Sequence, residues 1–354
     1  MNLSKVIALD SEVTTWNKGH AFDQRNFMVC WSYAGRDSSG AVKWPSHELL
    51  QQHIQESDRL VLFNAKFDLQ WFVKEGLEYD PTKVWDCQLA HFIMTNQTHR
   101  YPSLNEVAEY WGLPVKPDTV KTQYWDKGIN TDEIPWEVLS EYAEHDAQVT
   151  YQIYLRQNDV LVGAKRQLFM LQCQDLSLLR EMEANGIPFD EQLCQTRAVE
   201  IDDKIATLQQ KLSSIYPNTP INFNSNDDLS AFLYGGTIYE DAKEFVGYFK
   251  SGAKAGQPKY KNIVIEHQLP RLYTPLKKTA SGKFATDEGT LRKLKGKKQT
   301  VEMLLELSKL EKLNGTYYRG LVKLREEMGW PIGVLHGNFN QTTAATGRLS
   351  SSKP

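Results

Sequence analysis

The sequence predicts an α/β domain, with helices packed on a mixed sheet, followed by a mainly helical region. Short apolar runs alternate with amphipathic helical stretches over the first 160 residues, which is the pattern of strands and helices in layers. Long helical periodicities take over beyond that point. The charge balance changes sign at the same place: residues 1–160 hold 14 Lys and Arg against 23 Asp and Glu, and residues 161–354 hold 27 against 21.

In chain order, "KVIALDSEV" and "FMVCWSYA" read as strands and "SHELLQQHIQE" as an amphipathic helix opening at Ser46. "RLVLFN" reads as a short buried strand leading into the helix "AKFDLQWFVKEG", closed by Gly76. "VWDCQLAHFIM", "SLNEVAEYWG" and "PWEVLSEYAEHDAQVTYQIYLRQ" follow as helices. In the second part, "AKRQLFMLQCQDLSLLREMEANG" is a long helix stopped by Gly186, with Pro188 just beyond, and "FDEQLCQTRAVEIDDKIATLQQKLSSIY" is another. Residues 289–329 carry more helix, broken near Gly296. Residues 235–285 are rich in Gly, Pro and Lys without clear periodicity and read as an irregular insertion. The expected division is therefore 1–160, 161–335 with that insertion, and 336–354.

Composition narrows the class. Of 354 residues, 41% are apolar, 24% charged and 11% aromatic, as in ordinary globular proteins. No apolar run approaches the roughly 20 residues that span a bilayer, and "MNLSKVIALD" enters a strand pattern without a signal-peptide core, so the cytoplasm is the expected location. Cys30, Cys87, Cys173 and Cys194 form no C-x-x-C pair, which argues against a structural zinc site or redox motif and leaves them as reduced thiols. Residues 243–298 carry 14 basic side chains against four acidic ones, a phosphate-binding surface in charge.

The chemistry lies in carboxylates. Asp10 and Glu12 in "VIALDSEV" are i and i+2 on a strand and share a face, an unfavourable arrangement unless one is protonated or a cation lies between them. In "FNAKFDLQW", Asp68 stands one turn into a helix after a buried strand, four residues beyond Asn64; in "SEYAEHDAQVT", Tyr142 and Asp146 are an i, i+4 pair. By contrast, Asp86 reads as a helix cap, His145 as a packed or solvated helix residue, and Phe67 and Trp71 as core.

The ordered set D-x-E, N-x-x-x-F-D, Y-x-x-x-D resembles the three motifs of the DEDD superfamily of 3′–5′ exonucleases, tyrosine subtype, whose domain is ribonuclease H-like. The resemblance implies that Asp10, Glu12, Asp68 and Asp146 hold two Mg²⁺ or Mn²⁺ ions. It implies that Tyr142 orients the attacking water. Beside it, Asn64 reads either as a substrate contact or as a turn residue, and Phe67, if not only core, as a wall of the nucleotide pocket. In the histidine subtype a His lies five residues before the last Asp; here that position is Glu141. The Glu of the first motif is followed by Val13 rather than the Thr common in polymerase-linked members, with Thr14 and Thr15 just after.

"HGNFNQTTAATGRLSSSKP" is similar to the segment leading into the palm of family A DNA polymerases. "LLREMEANGIPFD", "INFNSNDDL" and "ELSKLEKLNGTYYRGLVK" are similar, in the same order, to parts of the thumb. The resemblance implies a proofreading exonuclease plus thumb, with DNA as partner, contacted by Arg348. It matches residues 235–280 poorly; there the basic charge itself, at Lys254, Lys259 and Lys261, suits phosphate contacts. Palm and fingers are not in these 354 residues, so the expectation is a chain that does not extend a primer alone, and that is either a fragment or one polypeptide of a split polymerase. The alternatives are a non-catalytic DNA-binding or assembly subunit, and an RNA-processing exonuclease, which the thumb-like half disfavours.

Overall fold

The computed structural model describes residues 5–115, 119–252, 254–296 and 298–352. The chain folds as two units, Met1–Asp190 with Leu324–Pro354, and Glu191–Lys323. Lys297 of the basic stretch and the final Lys353 and Pro354 lie outside the described residues.

The first unit is built on five strands: β1 (Val6–Val13), β2 (Met28–Ala34), β3 (Ser39–Lys43), β4 (Arg59–Leu62) and β5 (Val84–Asp86). Their order is β3-β2-β1-β4-β5. β1 pairs antiparallel with β2, and β2 with β3; β1 pairs parallel with β4, and β4 with β5. This is the mixed sheet expected. β3 has no apolar alternation, since all its residues are partly or fully exposed, and the sequence reading missed it. The first three residues of "VWDCQLAHFIM", read as helix, are β5, because burial on both faces erases the strand period.

Helices α1 (His47–Glu56), α2 (Ala65–Lys74), α3 (Cys87–Met94), α4 (Leu104–Tyr110), α5 (Thr119–Gln123), α6 (Trp136–Val160) and α7 (Gly163–Asn185) surround the sheet. Trp31, Trp71, Trp85 and Phe72 are fully buried in this core. The structure places α7, expected with the second region, in the first unit: Phe169, Cys173 and Leu176 complete its core. Gly186 ends α7 with φ +65°, and a Cβ there would stand 2.6 Å from Val334 Cγ1, so the close pairing of Ile187–Pro188 with Val334–Leu335 needs glycine. All four cysteines are free, and Cys30, Cys87 and Cys173 are buried.

The second unit is helical apart from one β-ribbon. α8 (Glu191–Ser213), α9 (Asn226–Tyr234), α10 (Glu288–Leu291) and α11 (Lys298–Lys312) enclose Leu212, Phe232, Leu304 and Leu307. Leu313–Tyr318 continues α11 as a π-helical turn, followed by α12 (Arg319–Glu327). The insertion expected to be irregular is in large part regular: Gly236–Tyr248 and Pro258–Leu269 pair antiparallel along their length. Most residues on both faces of this ribbon are exposed, so no apolar alternation marked it as strand. Among the described residues no helix is long and apolar enough to cross a membrane.

Candidate active site

β1 brings the first two carboxylates. It pairs with β4 only through Val6–Ala8, so its last five residues run beyond that neighbour at the carboxyl end of the parallel strands, where open α/β sheets place their ligands. Asp10 lies opposite Ser32 and Glu12 opposite Cys30, and cross-strand partners share a face. Ser32 Oγ donates to the Ala143 carbonyl of α6 at 2.7 Å, so this is the face that α6 covers. Tyr142 and Asp146 stand on that helix, one turn apart.

Asp68 arrives from the other side. The chain leaves β4 and turns through Asn64, exposed with φ +60°, into α2, whose first turn carries Asp68. Asp68 accepts from the Ser11 backbone N–H at 3.0 Å and from Ser11 Oγ. It thereby takes a β1 amide that β4 is too short to reach. Asp86 accepts from Gln88 N–H at 2.8 Å and Leu89 N–H at 3.1 Å as the cap of α3, as the sequence suggested. It also accepts from the Ala65 N–H at 2.9 Å, which fixes the start of α2 and hence Asp68.

The electrostatics tie these groups together. Burial pushes the Asp10 carboxyl well above the usual carboxylate range, and the charges of Glu12, Asp68 and Asp146 push it further. Asp68, 2% exposed, is raised to about 7 by burial, against the lowering effect of its Ser11 hydrogen bonds. Burial raises the Cys30 thiol, with Glu12 and Asp10 adding to it. Acids from α2 and α6 thus act on Asp10 of β1, although Asp68 and Asp146 stand 58 and 136 residues from it in sequence. In donor type the set suits hard divalent ions. Among the described residues no three His, Cys, Asp or Glu side chains are drawn to the spacing of a metal centre.

A cleft of about 640 Å³ is lined by Ser103, Asn105, Glu137, Tyr142, His145 and Asp146. Tyr142 is half-buried, its ring edge-on to Trp125 at 5.8 Å, and His145 Nδ1 lies 3.5 Å from Asp146 Oδ1. Phe67 is half-buried at the edge of the main core, and Trp71 is fully buried, donating to the Gly19 carbonyl at 3.1 Å. Thr14, near the place where the family has Thr, is buried and donates to Asn26 Oδ1 at 3.0 Å. Arg348 is exposed between the paired strands Asn338–Asn340 and Ser350–Ser352, and Lys254, Lys259 and Lys261 lie on the ribbon of the second unit. Sequence reasoning missed Ser11. Nothing local marks Ser11, whose partner is 57 residues away.

A five-stranded mixed sheet with acids at the carboxyl end of its central strand, faced by a helix bearing Tyr and Asp, is of the ribonuclease H-like class. Residues 1–161 match the family model described as 3′–5′ exonuclease, and residues 191–354 match that described as DNA polymerase family A. It is 28% identical to DNA polymerase I of Synechocystis sp. over 83% of this chain and 26% of that protein. It is 26% identical to DNA polymerase I of Treponema pallidum (90% and 28%), and 23% identical to the DNA polymerase of Bacillus phage SP01 (87% and 35%). It therefore spans between a quarter and about a third of these relatives' lengths. Among solved structures, the POL domain of Pol1 from M. smegmatis, in complex with DNA primer-template and dNTP, shares the fold with a TM-score of 0.67 at 18% identity, over 99% of this chain and 51% of that one.

Proposed function

We propose that the chain is a metal-dependent 3′–5′ exonuclease that removes mononucleotides from DNA 3′ ends, the proofreading module of a family A DNA polymerase. The observation that carries this reading is the convergence on Asp10: acids from three separate elements, Glu12, Asp68 and Asp146, all raise its carboxyl. Like charges collected in a buried place cost stability and suit a binding task. The 3′–5′ exonuclease match over residues 1–161 and the DNA-bound state of the similar polymerase structure support the substrate class.

Exonuclease domains of this kind use divalent metals. Bound at Asp10, Glu12, Asp68 and Asp146, Mg²⁺ or Mn²⁺ ions supply Lewis acidity to the attacking water and to the phosphate oxygens. The rest falls to the chain. Ser11 fixes the rotamer of Asp68, Tyr142 orients the water from the wall of the cleft, and Asn64 and Phe67 border the place of the terminal nucleotide. An unpaired 3′ end is preferred, because a mismatched base costs less than a paired one to take from the stack. The 354 residues by themselves are proposed not to extend a primer.

The second reading is a non-catalytic DNA-binding or assembly subunit that serves a second polypeptide carrying palm and fingers. It is favoured by the lack, among the described residues, of three acids at the spacing of a metal centre. Incubation of a 5′-labelled single-stranded DNA with Mg²⁺ or Mn²⁺ decides between them. The parent chain should produce a ladder, and Asp10→Ala/Glu12→Ala should slow it by about a hundredfold or more without lowering the melting temperature, since a repulsive pair is removed. A parent chain that binds DNA yet leaves the label intact would establish the second reading.

A further inference from the structure

The β-ribbon of the second unit carries a feature that the nuclease reading does not use. Its base is anchored: Ile238 is 3% exposed and Leu269 8%, both in the core of that unit. From there thirteen residues of strand Gly236–Tyr248 rise at about 3.3 Å each, carrying the tip about 40 Å along the ribbon. Towards the tip stand Phe245, Tyr248 and Tyr260, each at least half exposed.

These rings are gathered by the backbone. Phe245 lies directly opposite Tyr260. Tyr248, three residues on, would point to the other face of a regular strand, but a bulge between Phe245 and Gly247 inserts Val246 and returns Tyr248 to the face of Phe245. Phe245 meets Tyr248 edge-on at 5.3 Å and Tyr260 at 5.9 Å. The triad adds nothing to the core of the second unit, whose residues stop at the base of the ribbon. Between residues 243 and 261 the tip has five lysines against one acid, Glu244. Lys259 stands over the Phe249 ring at 5.8 Å, and the hydrogen bond between His267 Nε2 and Glu240 at 2.9 Å lies below the tip and uses none of these lysines.

We infer that the ribbon tip binds single-stranded nucleic acid, with bases stacked on Phe245, Tyr248 and Tyr260 and phosphates neutralised by Lys250, Lys259 and Lys261. Exposed aromatic faces set among lysines are what an unpaired strand requires: each base offers a π-face, and each neutralised phosphate releases a counterion. In a duplex the base faces are already covered, so the rings lose their part and only the lysines act. The inference does not rest on the nuclease reading, because binding needs no hydrolysis.

Fluorescence anisotropy of the full chain in EDTA, which silences metal-dependent cleavage, tests it with a fluorescein-labelled oligothymidylate and a duplex of equal length. Phe245→Ser/Tyr248→Ser/Tyr260→Ser should weaken oligothymidylate binding about tenfold or more and duplex binding by less than about twofold. Phe245→Trp/Tyr260→Trp should retain the affinity, showing that ring area matters and that the fold survives. Lys250→Gln/Lys259→Gln/Lys261→Gln should weaken both probes and flatten the salt dependence for the single strand by about 0.7 per lysine. Unchanged oligothymidylate binding by the serine variant, equal losses on both probes, or a parent tip that captures polyglutamate but not oligothymidylate would overturn the inference. EDTA separates this result from the cleavage assay, so either reading can fail alone.

Discussion

Asp68 owes its position to a residue with no charge. Ser11 gives it two hydrogen bonds from the strand that carries Asp10 and Glu12, and it points to the opposite face from both. Ser11→Ala removes the hydroxyl bond and keeps the amide bond, so Asp68 gains freedom to swing without losing its place. The expected result is an exonuclease rate lower by about ten- to a hundredfold, with a higher Mg²⁺ requirement and an unchanged circular dichroism spectrum, the usual effect of losing an outer hydrogen bond on a ligating carboxylate. Rates across a Mg²⁺ series read it directly. An unaltered Mg²⁺ dependence would deny the hydroxyl this role. Asp10 and Glu12 stand out in the sequence as two acids on one face of an apolar strand, whereas Asp68 and Asp146 are distinguished from the other helix acids only by the resemblance of their motifs. Ser11 was not legible, because a serine inside a strand is ordinary until its partner, 57 residues later, is known.

Elements depend on Asp86 in a comparable way. One buried carboxylate accepts from the N–H groups of Gln88, Leu89, Ala65 and Asn64, and so closes the N-termini of α3 and α2 together. Asp86→Ala leaves the N–H groups of Ala65, Gln88 and Leu89 buried without a partner and should lower stability by about 2–4 kcal/mol, with Asp86→Asn recovering part of the loss. Urea unfolding followed by the emission of the buried Trp31, Trp71 and Trp85 measures it; a loss below about 0.5 kcal/mol would show that water replaces the cap. Helices α1, α2 and α7 were legible from their apolar spacing and from Ser46, Gly76 and Gly186 at their ends. The ribbon was not, because a two-stranded element exposed on both faces has no buried side to impose a period.

At the scale of the whole molecule, chain order and spatial order differ. Residues 324–354 belong with the first unit, and one buried ion pair ties them there. Lys66, in the first turn of α2, lies 2.5 Å from Glu183 of α7 and donates to Asn338 Oδ1 at 2.7 Å and to the Phe339 carbonyl. Burial lowers the Lys66 ammonium from its usual range, while Glu183 opposes that shift. Lys66→Met leaves Glu183 uncompensated and should cost about 3–5 kcal/mol. The amides of residues 338–340 should then exchange hydrogen with solvent faster than those of β1; exchange as slow as in the parent would mean that the strand pairing with residues 350–352 holds this segment alone.

The sequence by itself determined the class of the first unit, the helical character of the second and the placing of Asp10 and Glu12 on one face of a strand. Those properties are written locally, in the period of apolar side chains and in charges set where burial makes them costly. Only the tertiary structure decided that α7 completes the first core, that Ser11 and Asp86 hold Asp68 in place, that residues 324–354 return to the first unit, and that a bulge gathers three rings on one side of the ribbon. Each of these rests on partners distant in the chain or on a shift of strand register, and neither leaves a mark on the residues nearby.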